Sequence, residues 1–536
     1  MRIKQLLMLI LMVGVAFSLS AQDASFYKKY ADKGDKEAMY NLAFCYVNGN
    51  GGVPQDYNQA TYWFTKAAKK NYAPAQVSLA YCYLYGTGVM KDFKQAWELA
   101  QKAAKQNDAG ANYLIAQMCK DGLYVKQSDA GYLQYLKKAS DLGDDDAQVE
   151  LGRLYMYGNE KPYVSQNTRE GLNLYYKAVE QNNGEALLQI GCMTRDGLDG
   201  FISKDPKKGY DYIKAAAQTG LPRAWFEYGY INLYGWGCEP NASEAARYIS
   251  AAAEQDVPNA YKLMGDLYLY GWGVEANDVD AAKWYQKAVD SGYGNAYSQL
   301  AWLYLSGRGV VRSESKAYQL YKEAADAGYS EGNAGLGMCY ENGYGVNKNV
   351  PSAVKYYQLA ADAGNNYSQY RLYEIFRDGD SGVSKDTSQA LQYLRDAANH
   401  DYPDAMYSLG YEYVTGDILH QENSQAVKWM TKAADAGNTF ASAVIGIAYY
   451  NGEDPFPKNY DLAFKYLSQA AQQIQSSGEK DEMAGQLCRD LAACYRFGRG
   501  TEVNNSLASY YTELAAQFGN DDSLNAVDVI RRNNEK

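Results

Sequence analysis

A repeat of about 36 residues runs through most of this chain and constrains its fold more than any other feature. The stretch 260–292 shows the unit: an apolar segment of helical length, a short glycine-rich turn, and a second segment of helical length. A fixed period of this size predicts stacked repeats, each of which contacts only its neighbours. Most units begin 36 or 37 residues after the previous one, at Ala38, Ala75, Ala111, Ala147, Ala186, Ala224, Ala260, Ala296, Gly332, Ser368, Ala405, Ala441 and, in weaker register, Leu487.

The first segment of each unit has the pattern of an amphipathic helix. Counting the opening residue as offset 0, offsets 4, 7 and 8 are mostly apolar or aromatic. At about 100° per residue they share one face with offsets 0 and 11, which predicts a buried stripe. Offset 5 is Gly or Ala in every unit but the one with Tyr373, which indicates close approach of another helix. Offset 11 is always Gly, as expected where a left-handed residue ends a helix.

The second segment of each unit begins with residues that cap helices. Asp56, Asp92, Asn241 and Asp386 each stand three residues before a Glu or Gln. In this pattern the first side chain accepts a hydrogen bond from a free backbone amide at the helix start. The units therefore predict helix, turn, helix throughout.

These residues resemble the Sel-one-like repeat, a tetratricopeptide-like helical repeat. The shared pattern is A-x-x-x-L-G-x-x-Y-x-x-G-x-G-V, then D-x-x-x-A-x-x-W/Y, then A-A-x-x-G, over about residues 38–520. The resemblance implies an all-α, right-handed solenoid superhelix of about thirteen repeats. It also implies a protein-binding adaptor role, without specifying one activity.

The first 21 residues have the features of a secretory signal peptide. Arg2 and Lys4 precede an apolar run from Leu6, and small residues follow, ending at Ala21. An uncleaved anchor helix is the alternative, although the apolar run is short for a membrane span. We therefore expect an exported protein, periplasmic or extracellular, without membrane insertion after signal cleavage.

Outside the leader, the repeats extend almost to the end of the chain. We expect a capping helix in 22–37, one solenoid over 38–520, and a closing segment with a polar tail in 521–536. The link 472–482, rich in Gln, Ser and charged residues, is the candidate hinge. Longer loops in repeats four, five and twelve are either functional insertions or neutral variation.

Composition and motif spacing argue against several classes of function. The net charge of −11 disfavours nucleic acid and anionic membranes as partners, because phosphate recognition needs clustered Lys and Arg. His400 and His420 are the two histidines, and neither has Cys or carboxylate neighbours at metal-ligand spacing. The acids at 144–146 are interpreted as helix-start charge. We expect no cofactor, no metal and no catalytic site.

The cysteines follow the repeat and not a disulfide pattern. Cys45, Cys82, Cys339 and Cys494 all occupy offset 7, where other units carry Leu, Met or Ile. Small buried hydrophobic residues are therefore the favoured interpretation, with disulfides in an exported protein as the alternative.

Offsets 2, 6 and 9 of the first helices lie roughly opposite the buried stripe, with offset 10 beside them. These positions carry aromatic residues where a solvated face would carry Lys and Glu. In tetratricopeptide-like stacks this face lines the concave groove, and Tyr and Trp are typical anchors of interfaces. The alternative is that tight stacking buries these rings as additional core. The predicted binding residues are Tyr81, Tyr85, Tyr113, Arg153, Tyr157, Phe226, Tyr230, Tyr234, Trp236, Asp266, Tyr270, Trp272 and Trp302.

Trp236 and Trp272 stand one repeat apart in the variable position of the Gly-x-Gly turn. Polar residues fill this position in other units, so we expect both indoles at an exposed edge. They either form a docking patch together with Tyr234 and Tyr270, or pack back on neighbouring turns and staple the stack.

The sequence thus predicts a non-enzymatic exported scaffold that binds a protein or an extended peptide. One alternative is a weak envelope enzyme or binding protein for β-lactam-like or peptidoglycan fragments, since cysteine-rich members of the resembled family are credited with such activity. Another is a structural spacer. The partner and the oligomeric state stay open.

Overall fold

The computed structural model describes residues 23–160, 163–292, 296–477 and 482–518. Within those ranges the chain is a succession of helix pairs, which confirms the predicted all-α class. The predicted signal peptide at 1–21 and the closing segment at 521–536 lie outside the described residues. No helix in the described ranges combines the length and the hydrophobicity that crossing a bilayer requires.

The chain forms two compact units. The first, here called the N-terminal unit, comprises residues up to 260 together with 272–275, and the C-terminal unit comprises 261–271 and the residues from 276 onward. The predicted hinge at 472–482 does not coincide with the boundary between these two units, and it stays a prediction. A helix continues to Ser477 there, and 478–481 fall outside the described residues.

The helices of the N-terminal unit are α1 Ala24–Ala31, α2 Lys36–Asn48, α3 Tyr57–Lys69, α4 Ala73–Tyr85, α5 Phe93–Ala104, α6 Ala109–Asp121, α7 Asp129–Asp141, α8 Asp145–Tyr157, α9 Thr168–Glu180, α10 Gly184–Asp196, α11 Pro206–Gln218, α12 Pro222–Tyr234 and α13 Ala242–Glu254. A two-stranded ribbon, β1 Asn159–Glu160 and β2 Tyr163–Val164, lies between α8 and α9.

Helix α14 Pro258–Tyr270 begins in the N-terminal unit and continues in the C-terminal unit. The C-terminal unit then contains α15 Asp278–Asp290, α16 Tyr297–Ser306, α17 Glu314–Asp326, α18 Ser330–Asn342, α19 Val350–Asp362, α20 Asn366–Asp378, α21 Thr387–Asn399, α22 Pro403–Thr415, α23 Asn423–Asp435, α24 Thr439–Asn451, α25 Tyr460–Ser477, α26 Glu482–Phe497 and α27 Asn505–Gln517.

Helix starts and stops follow the predicted chemistry. The Asp56 and Asp92 side chains each accept two backbone hydrogen bonds at the starts of α3 and α5. Gly86 ends α4 with φ 77° and ψ 38°, the left-handed conformation that glycine adopts without a Cβ penalty. The same conformation recurs at Gly235, which ends α12. Capping therefore fixes the length of the helices.

The left-handed stop predicted for every repeat is wrong in three of them. Gly158, Gly197 and Gly379 keep a positive φ, but their ψ values are 168°, 157° and 149°. The chain there leaves the helix in an extended direction. It then forms the β1–β2 ribbon after Gly158 and a short bridge after each of the other two glycines. The altered stop thus accompanies the loops whose sequence departs from the repeat.

The small residue at offset 5 is confirmed as a place of close helix approach. A Cβ atom at Gly265 would lie 2.4 Å from the ring of Tyr285, and one at Gly337 would lie 2.5 Å from the ring of Tyr357. Tyr373, the exception in the sequence, is itself buried and donates a 2.9 Å hydrogen bond to Glu412. In these repeats the approach of the two helices is therefore set by a missing side chain or by a specially paired one.

The cysteine positions agree with the repeat. Cys45, Cys82, Cys339 and Cys494 are buried, which confirms the prediction that offset 7 faces the core. Burial raises the pKa of Cys82 to about 12, and the Cys494 thiol has a similarly high pKa, again mainly through burial. These thiols are therefore protonated near neutral pH.

Candidate functional site

The surface formed by offsets 2, 6 and 9 of the first helices, together with the adjacent offset 10, is here called the first-helix face. In the N-terminal unit α4, α6, α8, α10 and α12 contribute to it. Most of the predicted binding residues do lie at the surface of their units. Exposed are Tyr85, Arg153, Tyr157, Tyr234, Trp236, Tyr270, Trp272 and Trp302. Partly buried are Tyr113, Phe226 and Tyr230.

Two residues depart from the expectation of an open surface. Tyr81 is 6% exposed and Asp266 is 5% exposed, so the alternative of additional core applies to them. Helical spacing alone places both on the first-helix face. In the folded chain, neighbouring side chains cover most of their surface.

The rings of Tyr81 and Tyr85 lie parallel, one helical turn apart on α4. Their centroids are 6.3 Å apart and their planes differ by 1°. Tyr85 is 45% exposed, whereas Tyr81 is buried. The exposed ring of the pair is therefore that of Tyr85.

Burial raises the pKa of Tyr81, and the charges of three carboxylates, here called the acid group, raise it further: Asp108, Asp144 and Asp146. Asp108 caps α6 and Asp144 caps α8, each by accepting a 2.8 Å hydrogen bond from a backbone amide. The interpretation of residue 144 as a helix-start charge is therefore confirmed. Its burial beside other acids was not apparent from the sequence.

Burial opposes ionisation of the acid group. It raises the pKa of Asp144 to about 7, and the carboxylates of Asp146, Asp145 and Asp108 also raise it, against the lowering effect of the capping amide. Burial likewise raises the pKa of Asp146 to about 6, with Asp145 adding to the shift. The side-chain amide of Asn183, 3.0 Å from Asp146, acts in the opposite direction.

A fourth carboxylate, Glu150, is fully paired within the fold. Its two oxygens accept hydrogen bonds from Tyr113 (3.0 Å), Gln117 (2.6 Å), Lys120 (2.6 Å) and Tyr132 (2.7 Å). Burial favours the neutral form, but the Lys120 ammonium and the tyrosine hydroxyls outweigh it and lower the pKa of Glu150. Tyr113, a predicted binding residue, is thus held by this network.

A second aromatic group lies at the end of α12. The ring of Tyr230 is 4.7 Å from Tyr234 and 5.3 Å from Trp236, measured between centroids, and Phe226 follows at 6.0 Å. The Arg195 guanidinium lies 5.3 Å from the Trp236 ring centroid. The repeat spacing indicates the four aromatic residues but not Arg195, which comes from α10 of the preceding repeat.

A cleft of about 230 Å³ begins at Phe226. It is bounded by α10, α12 and the start of α14, and its charged residues are Arg223 and Glu227. The second aromatic group and this cleft give α12 both a flat and a concave surface. The lining comprises Leu188, Gln189, Cys192, Arg223, Phe226, Glu227, Val257, Pro258 and Asn259.

The two indoles at the Gly-x-Gly turns are exposed, as predicted. Trp236 combines features of a docking patch and of a staple. Part of its surface is open, while Tyr230, Tyr234 and Arg195 pack against its ring. The turn itself is closely stacked, because a Cβ atom at Gly237 would lie 2.1 Å from the carbonyl oxygen of Pro206.

In the C-terminal unit, the predicted residues take part in polar networks. Asp266 accepts hydrogen bonds from Lys262 at 2.6 Å and from the Tyr285 hydroxyl at 2.7 Å. The Trp302 ring lies 5.2 Å from the guanidinium of Arg308, which also binds Asp278 through two hydrogen bonds. Asp266 is therefore a structural acceptor inside its repeat.

The same pairing of a buried tyrosine with a carboxylate recurs at positions that the repeat pattern indicates only as core. The Tyr357 hydroxyl donates to Glu341 at 2.7 Å, and the Arg371 guanidinium also binds Glu341. The available signal was a tyrosine of the second helix placed against the offset 5 glycine, since its hydroxyl then needs an acceptor on the first helix.

The described residues contain no group of three or more His, Cys, Asp or Glu side chains placed to hold a metal ion. The Nδ1 atom of His400 lies 2.8 Å from the backbone oxygen of Asp396 on its own helix. What the first-helix face presents is stacking surface, hydrogen-bond groups and negative charge.

Comparison with known proteins identifies the repeat. A family model described as the Sel1 repeat matches thirteen segments: residues 36–72, 73–108, 109–144, 145–183, 184–221, 222–257, 258–293, 294–329, 330–365, 366–402, 403–438, 441–473 and 486–520.

Several named proteins are similar to this chain. The chitin synthase regulator SKT5 of Saccharomyces cerevisiae is 28% identical over 228 residues, which are 41% of this chain and 32% of the regulator. The Sel1-repeat-containing protein YjcO of Escherichia coli is 28% identical over 227 residues, 41% of this chain and 95% of YjcO. A second regulator, chitin synthase regulatory factor 3 of Schizosaccharomyces pombe, is matched over 25% of its length. The chain thus spans a third or less of either fungal regulator.

Among solved structures, c5321 of uropathogenic Escherichia coli, a protective antigen with the same type of repeat fold, superposes with a TM-score of 0.56. The sequences are 25% identical, and the match covers 89% of this chain and 97% of that one. The predicted solenoid class is thereby confirmed.

Proposed function

This chain belongs to the Sel1-repeat family, and from that premise we propose that it is a non-enzymatic binding scaffold. Proteins of this family are interaction scaffolds, and some are regulators. We further propose that the first-helix face of the N-terminal unit is the surface that binds a protein or an extended peptide.

The exposed aromatic residues of the first-helix face are the observation that carries this proposal. Tyr157 is 66% exposed, and Tyr85 and Tyr234 are exposed too, although each stands on a helix whose opposite face is core. Trp236 is exposed in the turn that follows α12. Large exposed rings on a repeat surface indicate an interaction site, because Tyr and Trp bury much area at low entropic cost. A spacer gains nothing from such rings.

Export is part of the proposal and rests on the predicted signal peptide at 1–21. The expected result of N-terminal sequencing, on protein recovered from the extracytoplasmic fraction of the native cell, is a chain that begins near Gln22. Recovery of the whole population in the cytoplasm with the leader intact would contradict export and leave the binding proposal in place.

The binding proposal is tested with paired surface variants. Tyr85→Ser with Tyr234→Ser removes two exposed rings of the first-helix face, and Tyr62→Ser removes an equally exposed ring from the second helix α3. Chemical crosslinking in native cells, followed by mass spectrometry, is expected to give a partner of defined stoichiometry with wild type and Tyr62→Ser. Equal recovery with the double variant would contradict the assignment of the surface.

A second reading of the family resemblance, activity on β-lactam-like fragments, is tested by hydrolysis of a chromogenic β-lactam. We expect no turnover that follows the purified protein through successive chromatographic steps. Turnover that did so would contradict the non-enzymatic part of the proposal.

A further inference from the structure

Glu150 and Glu227 occupy the same place in two repeats of the N-terminal unit. Each stands at offset 3, counted from Ala147 and from Ala224. Glu150 accepts three of its hydrogen bonds from offsets 2, 6 and 9 of the preceding first helix, α6, and a fourth from the second helix α7. Glu150 therefore shows which donors a carboxylate at this position can collect from its own chain.

Glu227 keeps only the cation of that set. At offsets 2 and 6 of α10, Leu188 and Cys192 replace the tyrosine and the glutamine that α6 provides. The fourth residue of the second helix, a tyrosine in α7, is Gly209 in α11. At offset 9 Arg195 remains, 3.5 Å from Glu227, and among the described residues no other side chain donates a hydrogen bond to this carboxylate.

An open space lies where the two larger donors of α10 are missing. Leu188, Cys192 and Glu227 all line the cleft of about 230 Å³, together with Phe226. An apolar cavity of about 150 Å³ is large enough to hold benzene. The cleft therefore has room for a phenol ring, and its walls offer an aromatic surface at Phe226 and an oxygen acceptor at Glu227.

A tyrosine hydroxyl recurs as the group that joins these two positions. Tyr113 at offset 2 donates to Glu150 at offset 3 of the next repeat, at 3.0 Å. In the C-terminal unit, the hydroxyl of Tyr370 at offset 2 lies 3.0 Å from that of Ser408 at offset 3 of the next repeat. The packing of successive first helices is thus suited to a phenol ring at the place where Leu188 leaves space.

The charges at the cleft favour a neutral donor over a cation. Arg195 already lies beside Glu227, and Arg223 pairs with Glu185 at 3.0 Å. A second cation would meet two guanidinium groups at the same place, whereas a hydroxyl group adds a hydrogen bond without adding charge. What Glu227 lacks, relative to Glu150, is neutral donors.

We propose that this cleft binds a tyrosine side chain of the partner segment, with its ring against Phe226 and Leu188 and its hydroxyl donating to Glu227. A tyrosine ring buries a large apolar area, and its hydroxyl needs a partner once it is buried. A hydrogen bond to a carboxylate is stronger than one between neutral groups. This inference rests on the proposed function and gives the bound segment a chemical class: an extended peptide with a tyrosine at one fixed position.

The test uses the full purified chain and a displayed library of random nonapeptides at pH 7.5. We expect the recovered peptides to share tyrosine at one position. Isothermal titration with one such peptide and its phenylalanine analogue is expected to show a loss of about tenfold or more, because phenylalanine fills the cleft but donates no hydrogen bond to a charged acceptor.

Matched variants connect this preference to Glu227. Glu227→Met keeps the length of the side chain and removes the acceptor, so the tyrosine and phenylalanine peptides are expected to bind it equally. Glu314→Met removes a comparably exposed glutamate that also pairs with an arginine, Arg312, and the two peptides are expected to keep their difference with it. Circular dichroism establishes that both variants are folded.

A third variant fills the cleft from within the chain. Leu188→Tyr with Cys192→Gln places in α10 the two donors that α6 directs at Glu150. The folded variant is expected to lose the tyrosine peptide, because its own phenol ring occupies the cleft and binds Glu227. Wild-type affinity for the peptide in this folded variant would overturn the inference. If the variant does not fold, the comparison of Glu227→Met with Glu314→Met decides the question.

The outcomes separate this inference from the proposed function. Peptides recovered without a shared tyrosine, whose binding is lost in Tyr85→Ser with Tyr234→Ser, would overturn the inference and leave the binding scaffold in place. Equal binding of the tyrosine and phenylalanine peptides by wild type, or a preference for tyrosine that survives in Glu227→Met, would also overturn it. Saturation of the cleft by N-acetyltyrosinamide with no peptide consensus would show a site for small phenols instead. Recovery of no peptide above the blank would contradict both proposals.

Discussion

The ring of Tyr285 occupies the space that a side chain on Gly265 would need, and its hydroxyl reaches 2.7 Å from Asp266, the next residue of the same helix. One contact thus fixes both the approach of α14 and α15 and the place of a buried carboxylate. Gly265→Ala is expected to destabilise the protein by about 1–3 kcal/mol, because an added methyl group cannot fit against the ring.

The matched control for that substitution is Gly110→Ala. This glycine is also helical, but an added Cβ meets its neighbours only at 3.6 Å or more. The better helix propensity of alanine is expected to leave stability unchanged or to raise it by about 0.5–1 kcal/mol. Urea denaturation of the two variants checks both values. Equal effects would contradict close approach at offset 5.

The acid group predicts a stability that falls as pH rises. Asp144 has a folded pKa of about 7, against about 3.9 in an unfolded chain. The folded state therefore holds more protons between those two pH values, and stability decreases across that window as pH increases. Besides burial, the charges that raise the pKa of Asp144 are those of Asp146 and Asp145 on its own helix and of Asp108 at the start of α6.

Asp144→Asn with Asp146→Asn is expected to flatten this pH dependence and to raise the melting temperature at pH 8 relative to wild type. The measurement is thermal denaturation at several pH values from 4.5 to 8. Parallel curves for wild type and variant would show that these carboxyl groups ionise as freely in the folded protein as in the unfolded one.

The cysteines are expected to be inert in the native protein. Burial raises the pKa of Cys82, Cys339 and Cys494 to about 12, so very little thiolate exists at pH 8. A thiol reagent is expected to label them slowly without denaturant and rapidly with it. Rapid native labelling of Cys45 or Cys82, or a mass that shows them bridged, would contradict their placement in the core.

Substitution of Trp236 distinguishes the hypothesis of a docking patch from that of a staple. Replacing Trp236 and Trp272 together by Ser is expected to abolish partner capture while lowering stability by about 1–2 kcal/mol, the scale of ring and cation contacts at a partly exposed site. Trp63, which is buried, serves as the comparison, and its replacement is expected to cost about 3–5 kcal/mol. A loss of that larger size in the double variant, with capture retained by its folded fraction, would identify a staple.

The sequence predicted the fold almost completely because the repeat imposes the same contacts many times. Gly86 and Gly265 could each be assigned a role, since their equivalents recur at the same offset. The stop at Gly158 could not be predicted, because the ribbon that follows belongs to one repeat alone.

The candidate site was predicted less well, for a physical reason. Helical spacing gives the direction of a side chain on its own helix but not what a neighbouring helix places over it. Tyr81 and Asp266 point to the predicted face and are nevertheless covered. Arg195 reaches Trp236 from another repeat, and only the packing of α10 against α12 brings the two together.

The central claim, that the first-helix face of the N-terminal unit binds a protein segment, is tested most directly by site-specific photo-crosslinking in the native cell. A benzophenone amino acid is placed at Tyr85, which is 45% exposed, or at Tyr62, which is 49% exposed on a second helix. We predict an adduct of one defined mass from position 85 and none from position 62. The same adduct from both positions, or from position 62 alone, would contradict the account.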